Sequence, residues 1–412
     1  MRAVIWLVLL FTAAVVAATM LGANDALVSI FYGNWRLDLS LNLFLLGLLA
    51  GLIVLFFALQ AINGLLALPT RAREWRELKR ERAAQAALRD ALAELLAARY
   101  ARAHRAAQQA LDLAQDVPSL RQDTQFSVLA QLIAASGLHR LQDRRGRDDR
   151  IRLALAQARD AGPAGDGALL LSAEWALDDR DAPRAETLLA DLPAGVARRT
   201  LALRLKLQVS RMLRRPLEAL QTARLLAKHQ GFSSTAAQAL LRSLAIEGLE
   251  QAHDEEQLRR AWQALDATNR KDAWVTGRAA RRARELGQPA LGREWLLQAW
   301  EQIGRADAES RRQLALALVD CASGLGNEWL PRVEAALQAH GHEPALLAAA
   351  GMAFAERQLW GKARRPLEQT AQADSLPTSV RRLALRRLAA LAREQGSEAD
   401  ASAFDQRAAS LD

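Results

Sequence analysis

The hydrophobic pattern opens with two long apolar stretches, residues 4–21 and 41–68, which are separated by a mixed segment. A helix needs roughly 20 apolar residues to cross the hydrocarbon core of a bilayer. Each stretch reaches about that length, and neither contains an ionised side chain. The pattern therefore predicts two N-terminal transmembrane helices within a membrane hairpin, residues 1–70.

The segment between the apolar stretches, residues 26–41, alternates apolar and polar positions on both sides of Gly33 and Asn34. Two period-2 runs joined by a Gly-Asn turn predict a short β-hairpin. Two roles remain open for it. Tyr32 and Trp35 could anchor an interfacial ribbon at the headgroup level, or the hairpin could offer an edge to a periplasmic partner.

Basic residues set the predicted orientation of the membrane hairpin. The segment between the stretches has one basic residue, Arg36, whereas six follow the second stretch: Arg71, Arg73, Arg76, Lys79, Arg80 and Arg82. The positive-inside rule then predicts a bacterial inner-membrane protein with both termini in the cytoplasm. Alternatively, residues 4–21 are a signal peptide, cleaved near Ala18 or Ala23, which leaves one span.

Small residues spaced four apart occur in both apolar stretches. Gly47 and Gly51 lie in the second stretch, and Ala13 and Ala17 in the first. Small residues let helix backbones approach closely in lipid. We expect these positions to pack the two spans of one chain together, with a homo-oligomer through Gly47 and Gly51 as the alternative.

Beyond a basic juxtamembrane linker at 71–83, the pattern changes to helical periodicity. Residues 84–412 are rich in Ala, Leu, Arg, Glu and Gln, which favour helices. Helix pairs recur at about 34 to 40 residues, which is typical of a helical repeat array. We therefore predict an all-α domain of eight or nine helix pairs, with a single cysteine, Cys321, as a buried packing thiol.

The clearest repeat combines a small residue, two aromatics, an alanine and a leucine: Gly351, Phe354, Trp360, Ala363 and Leu367. This arrangement resembles the tetratricopeptide repeat (TPR), and it implies a right-handed TPR-like α-solenoid over residues 84–412. Trp295 and Trp300 cannot share one strict helix face. One of them is therefore expected to reach the concave surface of the array.

The net charge of +9 lies beyond the apolar stretches and is concentrated at 196–230. This segment could be a solvated face, or it could bind an acidic partner, anionic lipid or porphyrin propionates. The candidate heme or propionate contacts are His229, His340, His342, Arg211, Arg214 and Arg215. Nucleic acid is not expected, because no recognition module is present.

Sequence motifs for catalysis are missing. The chain has no glycine-rich phosphate loop, no dinucleotide fingerprint, no Cys-x-x-Cys and no His-Glu-x-x-His. We therefore predict that the protein is not an enzyme and has no catalytic residues, no metal site and no obligatory cofactor.

The order of the segments is more specific than any one of them. Two spans enclose a hairpin, a basic run with Trp75 follows, and Leu88, Ala91, Leu92 and Tyr100 open the repeats. This order resembles the HemY-type proteins of proteobacterial inner membranes, most specifically over residues 1–110.

The resemblance implies a role in a late step of protoheme synthesis or in its regulation, with enzymes of heme synthesis as protein partners. The family name has also been attached to protoporphyrinogen oxidase activity, but these residues do not form the dinucleotide-binding fold that a flavin oxidase needs. We therefore expect a membrane-anchored scaffold. A heme or porphyrin carrier and a general tether for envelope-complex assembly are the alternatives.

Overall fold

A computed structural model describes residues 26–229 and 233–411, with the side chains of 62–72 left aside. The predictions made for 4–21, including Ala13, Ala17 and the cleavage site, lie outside the described residues. The chain divides into two compact units, with the boundary between Gly137 and Leu138. Each unit is described by itself.

The predicted hairpin is confirmed. Strands β1 (Leu27–Tyr32) and β2 (Trp35–Ser40) pair antiparallel, and Gly33 takes a positive φ of 58° in the turn. The register pairs Val28 with Leu39, Ile30 with Leu37 and Tyr32 with Trp35, and the opposite face carries the Ser29–Asp38 and Phe31–Arg36 pairs. Because side chains alternate across a strand, one face of the ribbon carries only aliphatic and aromatic side chains.

The next element is one long helix, α1 (Leu41–Leu96), whose N-terminus is capped by the Ser40 hydroxyl. Residues Leu41–Ala61 have a mean hydropathy of 2.6 and are not buried. Within the described part of the chain, this is the one helix long and apolar enough to cross a membrane. The segment 71–83, predicted as a linker, lies inside the same helix.

The C-terminal part of α1 packs against α2 (Tyr100–Gln115), and α3 (Pro118–Arg121) and α4 (Thr124–Arg140) follow. Ala91, Ala107 and Ala134 are fully buried together. Alanine at these positions lets the helix backbones approach closely, since larger side chains would hold them apart.

The second unit consists of consecutive helices. They are α5 (Arg144–Ala156), α6 (Pro163–Asp178), α7 (Ala182–Ala190), α8 (Ala194–Ala197), α9 (Thr200–Met212), α10 (Pro216–Lys228), α11 (Ser234–Glu250), α12 (Glu255–Ala264), α13 (Ala267–Lys271), α14 (Ala273–Glu285), α15 (Pro289–Trp300), α16 (Ala308–Asp320), α17 (Leu330–His340), α18 (Pro344–Glu356), α19 (Trp360–Gln372), α20 (Thr378–Glu394) and α21 (Glu398–Ala409). Consecutive helices pack in pairs, such as α14 with α15 and α18 with α19, and the first helices of successive pairs also contact each other.

The α18–α19 pair shows how close the helices come. A Cβ added to Gly351 would lie 2.8 Å from Cδ2 and 3.2 Å from the backbone nitrogen of Leu367. Phe354, Ala363 and Leu367 are buried around this approach, and Trp360 is half-buried at its edge. A side chain at position 351 would therefore separate the two helices.

Many of these pairs share one turn, in which the middle of three residues takes a positive φ. The turn residues are Ala98, Gln142, Arg180, Arg214, Gly287, Gln358 and Gly396. In each turn the next N–H donates to a carbonyl five residues earlier, as Leu359 does to Phe354 at 2.9 Å. This is the Schellman ending of a helix, which glycine usually provides.

Replacing Gln358 with glycine is expected to raise the free energy of unfolding by about 0.5–1 kcal/mol, because a left-handed conformation costs a side chain roughly 1–2 kcal/mol. The matched control is Gln369→Gly inside the C-terminal half of α19, which should lower the free energy of unfolding by about 0.5–1 kcal/mol. Urea unfolding followed by circular dichroism measures both. Equal destabilisation by the two substitutions would contradict the strain at position 358.

The expectation that Trp295 or Trp300 reaches the surface is wrong, because both are buried, at 6% and 2% exposure. Trp295 stacks on Trp262 with ring centres 4.6 Å apart, and Trp300 meets Trp329 edge-on at 5.5 Å. Neighbouring elements therefore cover α15 on two sides, and two faces of this helix are buried instead of one.

Candidate binding site

The predicted arginines lie together at the end of α9. Arg211, Arg214 and Arg215 line a cleft of about 420 Å³, and His253 lies there in place of the predicted His229. Arg215 is engaged by two carboxylates, Glu186 at 2.7 Å and Glu218 at 3.6 Å. These carboxylates raise the pKa of Arg215 above its ordinary value, and Glu186 contributes most.

The predicted histidines occupy helix ends. His229 follows the last residue of α10, His340 is the last residue of α17, and His342 is exposed just beyond it. The buried Nε2 atom of His340 has no hydrogen-bond partner in the described structure. Among the residues that the structure describes, no group of three or more His, Cys, Asp or Glu side chains could hold a metal ion.

A more apolar groove lies between α7, α8, α9 and α10 and has a volume of about 500 Å³. The residues that form its apolar surface are Leu189, Ala190, Leu192, Ala194, Ala197, Ala202, Leu203, Val209 and Leu225. Arg198 and Lys206 also line it, and both are exposed. The groove combines part of the basic segment 196–230 with residues 186–194, which precede that segment.

The local sequence explains why a groove forms here. Helix α7 has nine residues, whereas α10 and α19 have thirteen each. It ends before Pro193, and the single turn α8 leads directly into α9. Because the second helix of this pair is short, it leaves part of α9 without a packing neighbour.

Some of the charged side chains at this groove form ion pairs, and others do not. The two carboxylates that line it, Glu186 and Glu218, share the guanidinium of Arg215. In the described part of the chain, the side chains of Arg198 and Lys206 form neither an ion pair nor a hydrogen bond. The groove therefore presents two free cations beside an apolar floor.

A second charged cluster is internally satisfied. The nearly fully buried Arg147 pairs with Asp179 at 2.5 Å and with Asp148 at 2.8 Å. Its guanidinium also lies 3.2 Å from Nδ1 of His139, whose ring stacks on Trp175. Burial, and then the charge of Arg147, lower the pKa of His139. This cluster joins helix pairs, and all three guanidinium nitrogens of Arg147 are engaged within it.

Cys321 is fully buried, and its Sγ lies 3.3 Å from the carbonyl oxygen of Ala280. Burial, and then the charge of Asp320, raise the pKa of the thiol to about 12. We expect iodoacetamide at neutral pH to label Cys321 only as fast as the helices around it open. Mass spectrometry of the native and the urea-unfolded chain measures this, and rapid labelling of the native chain would contradict it.

These elements define a largely helical protein with one described helix long and apolar enough to cross a membrane. Residues 27–136 match the family model described as HemY protein N-terminus. The match covers β1, β2 and α1 to α3, and most of α4. No curated protein matches the chain. Residues 27–136 are therefore a HemY N-terminal domain, consistent with a HemY-type protein, and the resemblance inferred from the sequence is confirmed.

Proposed function

We propose that this chain is a membrane-anchored adaptor that binds proteins in association with a late step of heme biosynthesis or with its regulation. The HemY N-terminal domain at 27–136 carries this proposal, since it suggests the link to heme biosynthesis. The continuity of α1 supports the anchoring role, because one helix contains both the apolar segment and the first packed helix pair.

We further propose that two spans cross the bacterial inner membrane and that both termini are cytoplasmic. In this proposal the helix pairs form a right-handed TPR-like solenoid. Recurring pairs with the same Schellman turn support the repeat architecture. The protein acts without its own chemistry, and its partners are enzymes of heme synthesis.

Anchoring changes the concentration at which a partner meets its substrate. A partner held at the membrane surface samples a small volume, so its effective concentration there rises without any new contact with the substrate. Porphyrins are apolar enough to partition into bilayers. An adaptor at that surface would therefore bring an enzyme and its substrate together.

The test is crosslinking in intact membranes, with porphyrin intermediates measured in a strain that lacks the gene. We expect a heme-synthesis enzyme among the crosslinked proteins and an accumulated porphyrin intermediate in the deletion strain. Normal intermediates together with crosslinks only to unrelated envelope proteins would reject the link to heme, and they would favour the general assembly tether.

A heme or porphyrin carrier is the second candidate, because the groove combines an apolar floor with the free cations Arg198 and Lys206. The residues that line the groove include no histidine, cysteine or methionine to ligate iron. Titration of the full chain in detergent with hemin tests this candidate. A Soret shift that is lost on Arg198→Glu/Lys206→Glu would support it.

A further inference from the structure

We propose that the groove between α7, α8, α9 and α10 binds a segment of a partner protein in which an apolar side chain is flanked by carboxylates. The inference rests on the proposed adaptor function and identifies where, and by what chemistry, the partner is held.

The shape suits an inserted side chain. A volume of about 500 Å³ lies within the usual range of ligand sites, which is roughly 300–1,000 Å³. The floor contains Leu192, Leu203 and Val209, which the surrounding helices already hold in place. At the edge, Leu225 is 50% exposed. A leucine or phenylalanine entering from outside would cover this exposed apolar surface.

The charges select the flanking residues of the partner segment. Glu186 and Glu218 both pair with Arg215, which offsets one of their two negative charges. With Arg198 and Lys206 included, these five groups carry a net charge of +1, which favours an anion. Arg198 and Lys206 are free to pair with incoming carboxylates. Since the two cations line one groove, they complement an apolar residue with Asp or Glu on either side.

The composition favours a peptide over a tetrapyrrole. Iron of a bound heme would find no axial ligand among the lining residues. The groove is formed along helices, and such grooves accept an extended or helical segment through a few apolar anchors. A peptide with apolar and acidic residues would contact both the apolar floor and the two cations, Arg198 and Lys206.

The first test is selection of random 12-residue peptides, displayed on phage, against the full chain in detergent micelles. We expect the enriched peptides to combine Leu or Phe with Asp or Glu. An enriched peptide is then labelled with fluorescein, and its affinity is measured by anisotropy. Arg198→Glu/Lys206→Glu should weaken binding about ten-fold or more, because attraction becomes repulsion.

The matched control is Arg305→Glu/Arg365→Glu, which changes the net charge equally at exposed sites outside the groove. Its affinity should remain within about two-fold of the parent, since distant exposed charges are largely screened at physiological salt. Equal weakening by both double variants would show attraction to net charge alone, and it would overturn the proposal.

The apolar contact has its own pair of variants. Leu225→Gln should weaken the same peptide, whereas Leu153→Gln on α5, at 52% exposure, should not. Enrichment of basic peptides, no enrichment at all, or unchanged affinity in both groove variants would each reject the site. Competition by laurate at the same affinity would point to a small amphiphile and would also overturn the proposal.

The adaptor function and the peptide-binding groove can be disproved independently of each other. If Arg198→Glu/Lys206→Glu still crosslinks to the heme-synthesis enzyme in membranes, the adaptor function stands and this groove is not its site. If selected peptides bind the groove as described but no such enzyme is crosslinked, the groove stands and the link to heme fails.

Discussion

Replacing Arg147 with alanine is expected to lower the free energy of unfolding of the second unit by about 3 kcal/mol. The guanidinium is nearly fully buried and is the main partner of Asp179, which is itself mostly buried. Removing one member of such a pair strands the other charge in a poorly solvated position, which commonly costs 3–5 kcal/mol. Because Arg144 still contacts Asp179 at 3.2 Å, we expect the lower end of that range.

The measurement is urea unfolding of the full chain in detergent, followed by circular dichroism. Arg152→Ala is the control, since Arg152 pairs with Asp149 at the exposed surface of α5. Exposed ion pairs contribute roughly 0–1 kcal/mol, so this variant should remain close to the parent. A loss of less than 1 kcal/mol for Arg147→Ala would show that water already solvates the cluster.

The same variant has a pH signature. Burial alone would raise the pKa of Asp179, but the hydrogen bond and charge of Arg147 outweigh it, so the pKa lies below its ordinary value of 3.8. A lowered carboxyl pKa contributes stability above that ordinary value and loses it as the pH falls through the folded-state pKa. Arg147→Ala should therefore lose less stability than the parent between about pH 5 and pH 3.

Replacing Trp329 with alanine is expected to cost about 3–5 kcal/mol, which is the range for a large aromatic removed from a core. Trp329 is only 1% exposed, and its ring meets Trp300 edge-on at 5.5 Å. The cost combines lost burial, the cavity that remains and the lost aromatic contact. Trp329→Phe should recover part of it, because the smaller ring still fills most of the space.

The control for this substitution is Trp75→Ala on α1, where the side chain is 62% exposed. Lys79 lies over the indole of Trp75, with its Nζ 5.3 Å from the ring centre. We expect a change below about 1 kcal/mol, since little buried area and one exposed cation–π contact are lost. Similar losses for Trp329→Ala and Trp75→Ala would contradict the assignment of Trp329 to the core.

Local patterns account for what sequence reasoning predicted well. The alternation around Gly33 and Asn34 specifies a two-residue hairpin, because both the period and the turn chemistry agree. The apolar stretch from Leu41 specifies a helix long enough to cross a bilayer. Gly351 lies at a close helix approach, where an added Cβ would come within 2.8 Å of Leu367. Each of these signals is contained in one continuous stretch of the chain.

Local sequence patterns do not identify all the turns between paired helices. Gly287 and Gly396 are recognisable as helix endings, but Ala98, Arg180 and Gln358 adopt the same left-handed conformation without glycine. Packing of the paired helices supplies the free energy that holds these residues there, and no local signal marks them. The tryptophans of α15 show the same limit, because its burial on two sides depends on neighbours far along the chain.

The sequence by itself determined the apolar segment, the hairpin, the helical class of the rest and the resemblance to HemY-type proteins, because all of these depend on residues close together in the chain. Only the tertiary structure decided that Arg215 pairs with both Glu186 and Glu218 while Arg198 and Lys206 stay free. It also decided that the short α7 leaves an apolar groove beside them. The pairing of charges and the gaps between helices depend on how separate helices pack, and periodicity along one helix does not specify that.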